Sequence, residues 1–194
     1  MNTPQEGYVR VERRGRVSHI EFFHPQSNSL PSAVLADLAQ AIRNEGQDPS
    51  VHVIVLRSGG DRVFCGGASF TELASIRTEA QGLAFFSGFA HVINAIRTVP
   101  KFVVGRVQGK AVGGGVGLAS AVDYCIATQH AAVKLSELAV GIGPFVVGPA
   151  VERKMGLSAM SQLAIDATEF RSAAWAQEYG LYAQVVDDAT ALDA

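Results

Sequence analysis

The chain lacks the features that would place it in several large classes of protein. It has two cysteines, Cys65 and Cys125, in 194 residues. Neither belongs to a C-x-x-C pair, which excludes a disulfide framework and leaves buried, reduced thiols as the expectation. Neither sign of charge is in excess: 16 Lys and Arg stand against 18 Asp and Glu, a net charge of −2. There is thus no electrostatic reason to expect nucleic acid or an anionic membrane as a partner. Five histidines are scattered (His19, His24, His52, His91 and His130), with no Cys or carboxylate at ligand spacing, so no metal site is expected. No apolar run reaches membrane-spanning length. The nearest, Phe102 to Ala127, is broken by Arg106, Lys110, Asp123 and six glycines. Met1-Asn2-Thr3-Pro4-Gln5-Glu6 lacks the charged and apolar regions of a signal peptide. A soluble, cytoplasmic protein is expected. Linkers, charge blocks and low-complexity tracts are absent as well, so one domain is expected over residues 1–194, with a core of about residues 8–186.

Strands alternating with helices are what the sequence does carry. Tyr8 to Arg13 and Val17 to Phe22 read as a hairpin around Arg14-Gly15-Arg16. The basic run Arg10 to Arg16 alternates with apolar residues as a half-exposed strand does. Ser32 is a candidate cap for a helix with Val34, Leu35, Leu38 and Ile42 on one face. Val51 to Leu56 reads as a buried strand, Ser69 to Ile76 as a short helix and Ala80 to Arg97 as a longer one. Leu83, Phe86, Phe89, Ala90, Ile93 and Ile96 form the expected inner face of the longer helix. Phe102 to Val107, Tyr124 to Ala127 and Gln184 to Val186 follow as strands. Helices are expected at Gly114 to Ala121, Val146 to Met155, Ser158 to Ile165 and Arg171 to Tyr179. This alternation argues an α/β fold with parallel crossovers.

Two glycine-rich turns stand out. Phe64-Cys65-Gly66-Gly67-Ala68-Ser69-Phe70 follows one apolar strand, and Gly113-Gly114-Gly115-Val116-Gly117 follows another. Glycine allows close backbone approach, and two such turns can aim two main-chain N–H groups at one oxygen. That pair is an oxyanion hole, which implies a reaction type. Glu137 lies in the apolar surroundings of Leu135, Leu138, Ala139 and Val140. Loss of solvation there raises a carboxyl pKa toward a value useful in proton transfer. The second turn does not make a dinucleotide loop, because Leu118 falls where G-x-G-x-x-G needs its last glycine.

These residues resemble the crotonase superfamily of enoyl-CoA hydratases and isomerases. Arg62-Val63-Phe64-Cys65-Gly66-Gly67-Ala68 is similar to that family's R-x-F-[SC]-x-G-x turn. Gln108-Gly109-Lys110-Ala111-Val112-Gly113-Gly114-Gly115 is similar to its N-G-x-A-x-G-G-G turn. Ser136-Glu137-Leu138-Ala139-Val140-Gly141 is similar to P-E-x-x-x-G, and Asn28-Ser29-Leu30 to N-A-L. The resemblance implies a spiral of ββα turns, with the usual C-terminal helices missing or shortened, and assembly as a homotrimer or hexamer. It implies an acyl-CoA thioester as substrate and no separate cofactor. By position it implies Ala68 and Gly114 as the N–H donors and Glu137 as the acid/base. Ser27, Ser29, Cys65, Gly67, Ser69, Phe70, Gly113, Gly117, Pro144 and Phe145 are the implied substrate-binding positions. Leu73, Phe85 and Phe86 are expected to add to an apolar acyl pocket.

One position departs from the pattern. Gly117 stands where hydratases of the family carry a second glutamate, which favours Δ3,Δ2-enoyl-CoA isomerase-type proton transfer. Hydration by Glu137 alone, including a methylglutaconyl-CoA type, is the alternative. A non-catalytic CoA-ester-binding or structural subunit is the alternative of another class. Glu72 and Asp123 are the nearest other acids, read as an exposed helix residue and a structural residue.

Overall fold

The computed structural model describes residues 7–193. The segment Met1 to Glu6, inspected above for a leader, lies outside the described residues. The chain opens with the hairpin β1 (Tyr8–Arg14) and β2 (Val17–Phe23), paired antiparallel. A short β3 (Ser29–Leu30) leads into α1 (Ser32–Gln47). The next turn holds β4 (Val53–Ser58), β5 (Val63–Cys65), β6 (Gly67–Ala68), α2 (Phe70–Ser75) and α3 (Glu79–Thr98). A third holds β7 (Phe102–Val107), β8 (Lys110–Val112) and α4 (Gly114–Ala121). A fourth holds β9 (Tyr124–Thr128), β10 (Val133–Lys134), a 3-10 turn at Leu138–Val140, and α5 (Gly148–Ile165). Then come α6 (Ala173–Glu178), β11 (Gln184–Val186) and α7 (Ala189–Leu192). The repeat is strand, strand, helix. First strands join one sheet of order β1-β2-β4-β7-β9-β11, parallel after the hairpin. Second strands pair apart from it, as β10-β8-β5 and β3-β6.

Side-chain alternation explains the layers. In β2, Ser18, Ile20 and Phe22 are buried, and in β4 Ile54, Leu56 and Ser58, while the residues between them are half-buried. The register sets Ile20 beside Leu56 and Leu56 beside Gly105. Helices α1 and α3 cover this face with Leu35, Leu38, Ile42, Phe89, Val92 and Ile96, all in one continuous core. Glu45 is buried within α1, but Arg13 donates to it at 2.8 and 2.9 Å from two nitrogens.

Local structure corrects several expectations. Ser32 is the first residue of α1 rather than its cap; Pro31 holds that place. The Ser32 N–H and hydroxyl both donate to Glu72 Oε2, at 2.9 and 2.7 Å, so a carboxylate brought by α2 caps the helix start. Leu83 is 70% exposed and Phe85 is buried in its place, because α3 is rotated to lay Phe85 and Phe89 inward. The strand expected from Val51 begins at Val53, since His52 N–H donates to Arg16 O outside the ladder. The two helices expected after Val146 are both present, since α5 is broken between them at Gly156, whose φ of 82° and ψ of 162° are non-helical. Asp123 is structural as expected, its Oδ2 accepting from Val103 N–H at 2.8 Å.

Gly115 joins α4 to β5: a methyl group there would lie 2.5 Å from the Cys65 carbonyl oxygen. In an open helix Gly→Ala stabilises by up to about 1 kcal/mol. Here Gly115→Ala is expected to destabilise by about 1–3 kcal/mol through backbone displacement. Urea midpoints of the two proteins check the sign.

Candidate active site

The three-stranded sheet brings the sequence motifs together. Cys65 of β5 pairs with Ala111 of β8, and Val112 of β8 pairs with Lys134 of β10. The first glycine turn, the second glycine turn and the segment leading to Glu137 therefore leave adjacent strands at the same end. Gly67 has a φ of 93°, and a side chain on it would sit 3.2 Å from Val112 O and 3.6 Å from Gly114 N. Gly113 has a φ of 53°, and a side chain there would meet Glu137 Oε1 at 3.1 Å. Both positions need glycine for conformation and for space. Gly113 N–H is committed to Lys134 O, and Val116 and Gly117 N–H donate to Gly113 O. Gly114 N–H is the first of the orphan donors at the start of α4, and no main-chain acceptor among the described residues takes it. Ala68 ends β6, its carbonyl held by the Ser29 hydroxyl at 2.9 Å. Asn28 braces this turn by donating to Gly59 O and Val63 O, each at 2.9 Å.

A pocket of about 200 Å³ opens at this point. Glycine backbone from both turns lines it, with Ser29, Ala68, Ser136 and Glu137. Phe70, Leu73, Phe85, Phe86, Phe89, Val140, Ile142, Val146 and Val147 supply hydrocarbon around it. Of the positions expected to bind substrate, Ser29, Gly67, Phe70, Gly113 and Pro144 line the pocket, together with Ala68, Gly114 and Glu137. Five do not. Ser27 is exposed on the turn before β3. Cys65 is fully buried behind its strand, where its sulfur accepts from Gly67 N–H and burial pushes the thiol up to about 12. Ser69 turns its hydroxyl to Glu72 N–H and caps α2. Gly117 packs under Val147 and Ile93. Phe145 is 85% exposed and folds against Gly143 instead of narrowing the pocket. Glu72 is absorbed by the start of α1 and stays out of the lining. Sequence inspection missed Ser136, Phe89 and Val147 as wall residues. Phe89 was visible only as an inward helical position, and Val147 carries no motif.

Glu137 is the one titratable side chain among the lining residues. It precedes the 3-10 turn in helical backbone geometry, which turns its carboxylate back over Gly113. Oε2 is buried without a hydrogen-bond partner among the described residues. Burial raises its pKa above the ordinary glutamate value, an effect partly offset by its own main-chain amide. The site thus combines a desolvated carboxyl group, an unpaired main-chain N–H at a helix start, and apolar walls. Among the described residues no three His, Cys, Asp or Glu side chains converge in a metal-ligating group, and no helix is long and apolar enough to cross a membrane.

This fold and site define a recognised class. The chain belongs to the enoyl-CoA hydratase/isomerase family of the crotonase superfamily, whose family profile matches residues 12–194. It is 31% identical over 186 residues to an enoyl-CoA hydratase of Alternaria alternata, covering 96% of this chain and 60% of the relative. It is 30% identical over 179 residues to the mitochondrial methylglutaconyl-CoA hydratase of Mus musculus, covering 84% of this chain and 57% of the relative. The chain therefore spans about three fifths of these relatives. A crystal structure of an enoyl-CoA hydratase/isomerase (crotonase) from Legionella pneumophila superposes with a TM-score of 0.90 at 30% identity, over 95% of this chain and 72% of that one.

The raised pKa of Glu137 has a consequence for stability. Below the unfolded-state value both states are protonated and burial of the group carries no ionic cost. As pH rises through the folded-state value, the folded protein must bury a charge and loses stability. Glu137→Gln removes that cost. Its melting temperature is expected to exceed that of the parent near pH 8, with the gap closing toward about pH 4, where an ordinary glutamate is half protonated. Thermal melts across that range check this, and a constant gap would contradict it.

Proposed function

We propose that this domain acts on an acyl-CoA thioester through an enolate, moving one proton between two carbons in the manner of a Δ3,Δ2-enoyl-CoA isomerase. The observation that carries this reading is the presence of one carboxylate, Glu137, in an otherwise non-titratable pocket. Glu137 takes a proton from C2 of a 3-enoyl thioester. The C–H electron pair moves toward the carbonyl, and charge gathers on the thioester oxygen. The Ala68 and Gly114 N–H groups receive that oxygen, and the N-terminal dipole of α4 acts in the same direction. Losing one such donor typically costs roughly 3 kcal/mol of transition-state stabilisation. The proton then returns from Glu137 to C4 as the double bond shifts to C2–C3. Nothing is added or lost, so the step needs no water and no cofactor. The apolar walls support it by excluding water and strengthening the two donors.

Hydration by Glu137 alone is the second reading, supported by the hydratase names of the relatives at 30 and 31% identity. Water would add its oxygen to C3 of a 2-enoyl thioester while C2 gains a proton. Assembly as a trimer or hexamer is part of the proposal, supported by apolar side chains open to solvent at Phe102, Leu157 and Ile165.

The test offers 3-hexenoyl-CoA and crotonyl-CoA and follows absorbance and product mass. Isomerisation of the first without a mass change is expected, and a mass gain of one water from the second without any isomerisation favours the hydratase. Binding of both with neither reaction would identify a non-catalytic CoA-ester binder. Glu137→Gln is expected to lower turnover by roughly 10²–10⁴-fold, the usual contribution of a general acid–base group. Because the carboxylate is the acting form and its pKa is raised, kcat/KM should fall on the acid side at a pH above the ordinary glutamate value.

A further inference from the structure

Phenylalanine is the commonest residue in the hydrocarbon wall of the pocket. Four of the chain's 10 phenylalanines, Phe70, Phe85, Phe86 and Phe89, line this one cavity of about 200 Å³. They flank both proposed N–H donors. Phe70 opens α2 two residues after Ala68, and the Phe89 ring lies against Gly114, its Cζ 2.3 Å from where a side chain on that glycine would begin. Phe85 and Phe86 meet edge to face, with ring centroids 5.1 Å apart and planes at 85°. Phe70 and Phe89 have no ring partner among the described residues. Phe70 is 66% exposed and Phe86 37%, although phenylalanine is among the residue types most often buried. Helix α2 buries none of its own residues, and its large apolar side chains, Phe70 and Leu73, both line the pocket. Polar contacts hold it in place instead: Ser69 caps it, and Glu72 ties it to Ser32. A capping box of Thr78 and Gln81 then fixes the start of α3, which carries the other three rings.

We propose that the acyl group taken by this site is uncharged and carries an aromatic ring a few carbons from the thioester, which rests on the acyl-CoA reading above. A plain alkyl tail would gain apolar burial here but lose the freedom of every rotatable bond it orders. A ring fills the same space as a rigid unit. It adds edge-to-face or offset contacts with Phe70 and Phe89, the two rings that lack a partner. The cavity suits a ring on a short linker, because pockets for drug-sized ligands run to about 300 Å³ or more. Charge on the tail is disfavoured on separate grounds. No cationic side chain lines the pocket, so a tail carboxylate would lie unpaired among hydrocarbon, with Glu137 as a neighbour of like charge.

Saturated thioesters, which have no double bond to shift or hydrate, test this by binding, whichever reaction the site performs. 5-Phenylpentanoyl-CoA and 5-cyclohexylpentanoyl-CoA share a carbon skeleton and differ in the aromaticity and planarity of the ring. Titration calorimetry of the parent is expected to show the phenyl ligand bound about fivefold or more tighter, the scale of one or two ring–ring contacts. Phe70→Leu and Phe86→Leu should each reduce that preference, with less effect on the cyclohexyl ligand. Adipoyl-CoA should bind at least about tenfold more weakly than hexanoyl-CoA, because its tail carboxylate is desolvated without a partner. Equal affinity for the phenyl and cyclohexyl thioesters, or a preference that both variants leave intact, overturns the inference; because both ligands still bind, the proposed function stands. Adipoyl-CoA bound as tightly as hexanoyl-CoA overturns the uncharged tail. A parent that binds none of these thioesters overturns the acyl-CoA reading and this inference with it. If neither variant folds, the phenyl-to-cyclohexyl ratio of the parent decides alone.

Discussion

The parallel pairing of β5, β8 and β10 is the constraint on which the site depends. These strands are two or three residues long, so their register is decided by very few hydrogen bonds. A slip of one residue would turn each side chain to the opposite face. With Cys65 beside Ala111 and Val112 beside Lys134, three turns far apart in the chain leave the sheet at the same end of its strands. The large sheet makes this possible without taking part. Its parallel strands β4, β7 and β9 each pass their chain to a strand of the small sheet, and the buried register Leu56–Gly105 keeps those departures level.

Close approach is the second theme, and it is achieved by missing side chains. Gly114 has the Phe89 ring where its side chain would be, Gly115 has the Cys65 carbonyl, and Gly117 has Val147. Helix α4 therefore packs with its backbone against its neighbours. Its N-terminal N–H groups can sit beside Gly67 and Glu137 without intervening hydrocarbon. The same packing leaves much of the pocket lined by hydrocarbon. Glu137 is held there with no partner for Oε2 among the described residues, an arrangement unfavourable for folding at neutral pH and favourable for proton transfer. The core of α1, α3 and the large sheet supplies the burial that offsets it.

Much of the fold was legible in the chain. The hairpin at Gly15, the strands around Ile54, Val104 and Ile126, and the helix after Gly113 follow from alternation and turn chemistry. Both glycine turns and Glu137 were legible as candidates because their residue types are unusual for a surface loop. Errors gathered where a local signal was satisfied by a distant partner. Ser32 resembles a cap, but Glu72 arrives from another helix to do that work. Ser69 and Cys65, by contrast, are taken by near neighbours, the Glu72 and Gly67 amides. Leu83 fits the helical period as well as Phe85 does, and only the docking of α3 on α1 and α4 separates them.

Sequence by itself determined the order of elements, the glycines that permit two backbone turns to approach each other, and the one acid set among apolar residues. These depend on residues near in the chain, on φ preferences and on side-chain period. Tertiary structure alone decided that Glu137 lies over Gly113 and that Val147 closes the room beside Gly117. Those outcomes rest on contacts between residues tens of positions apart, set by strand register and helix packing, which leave no local mark in the chain.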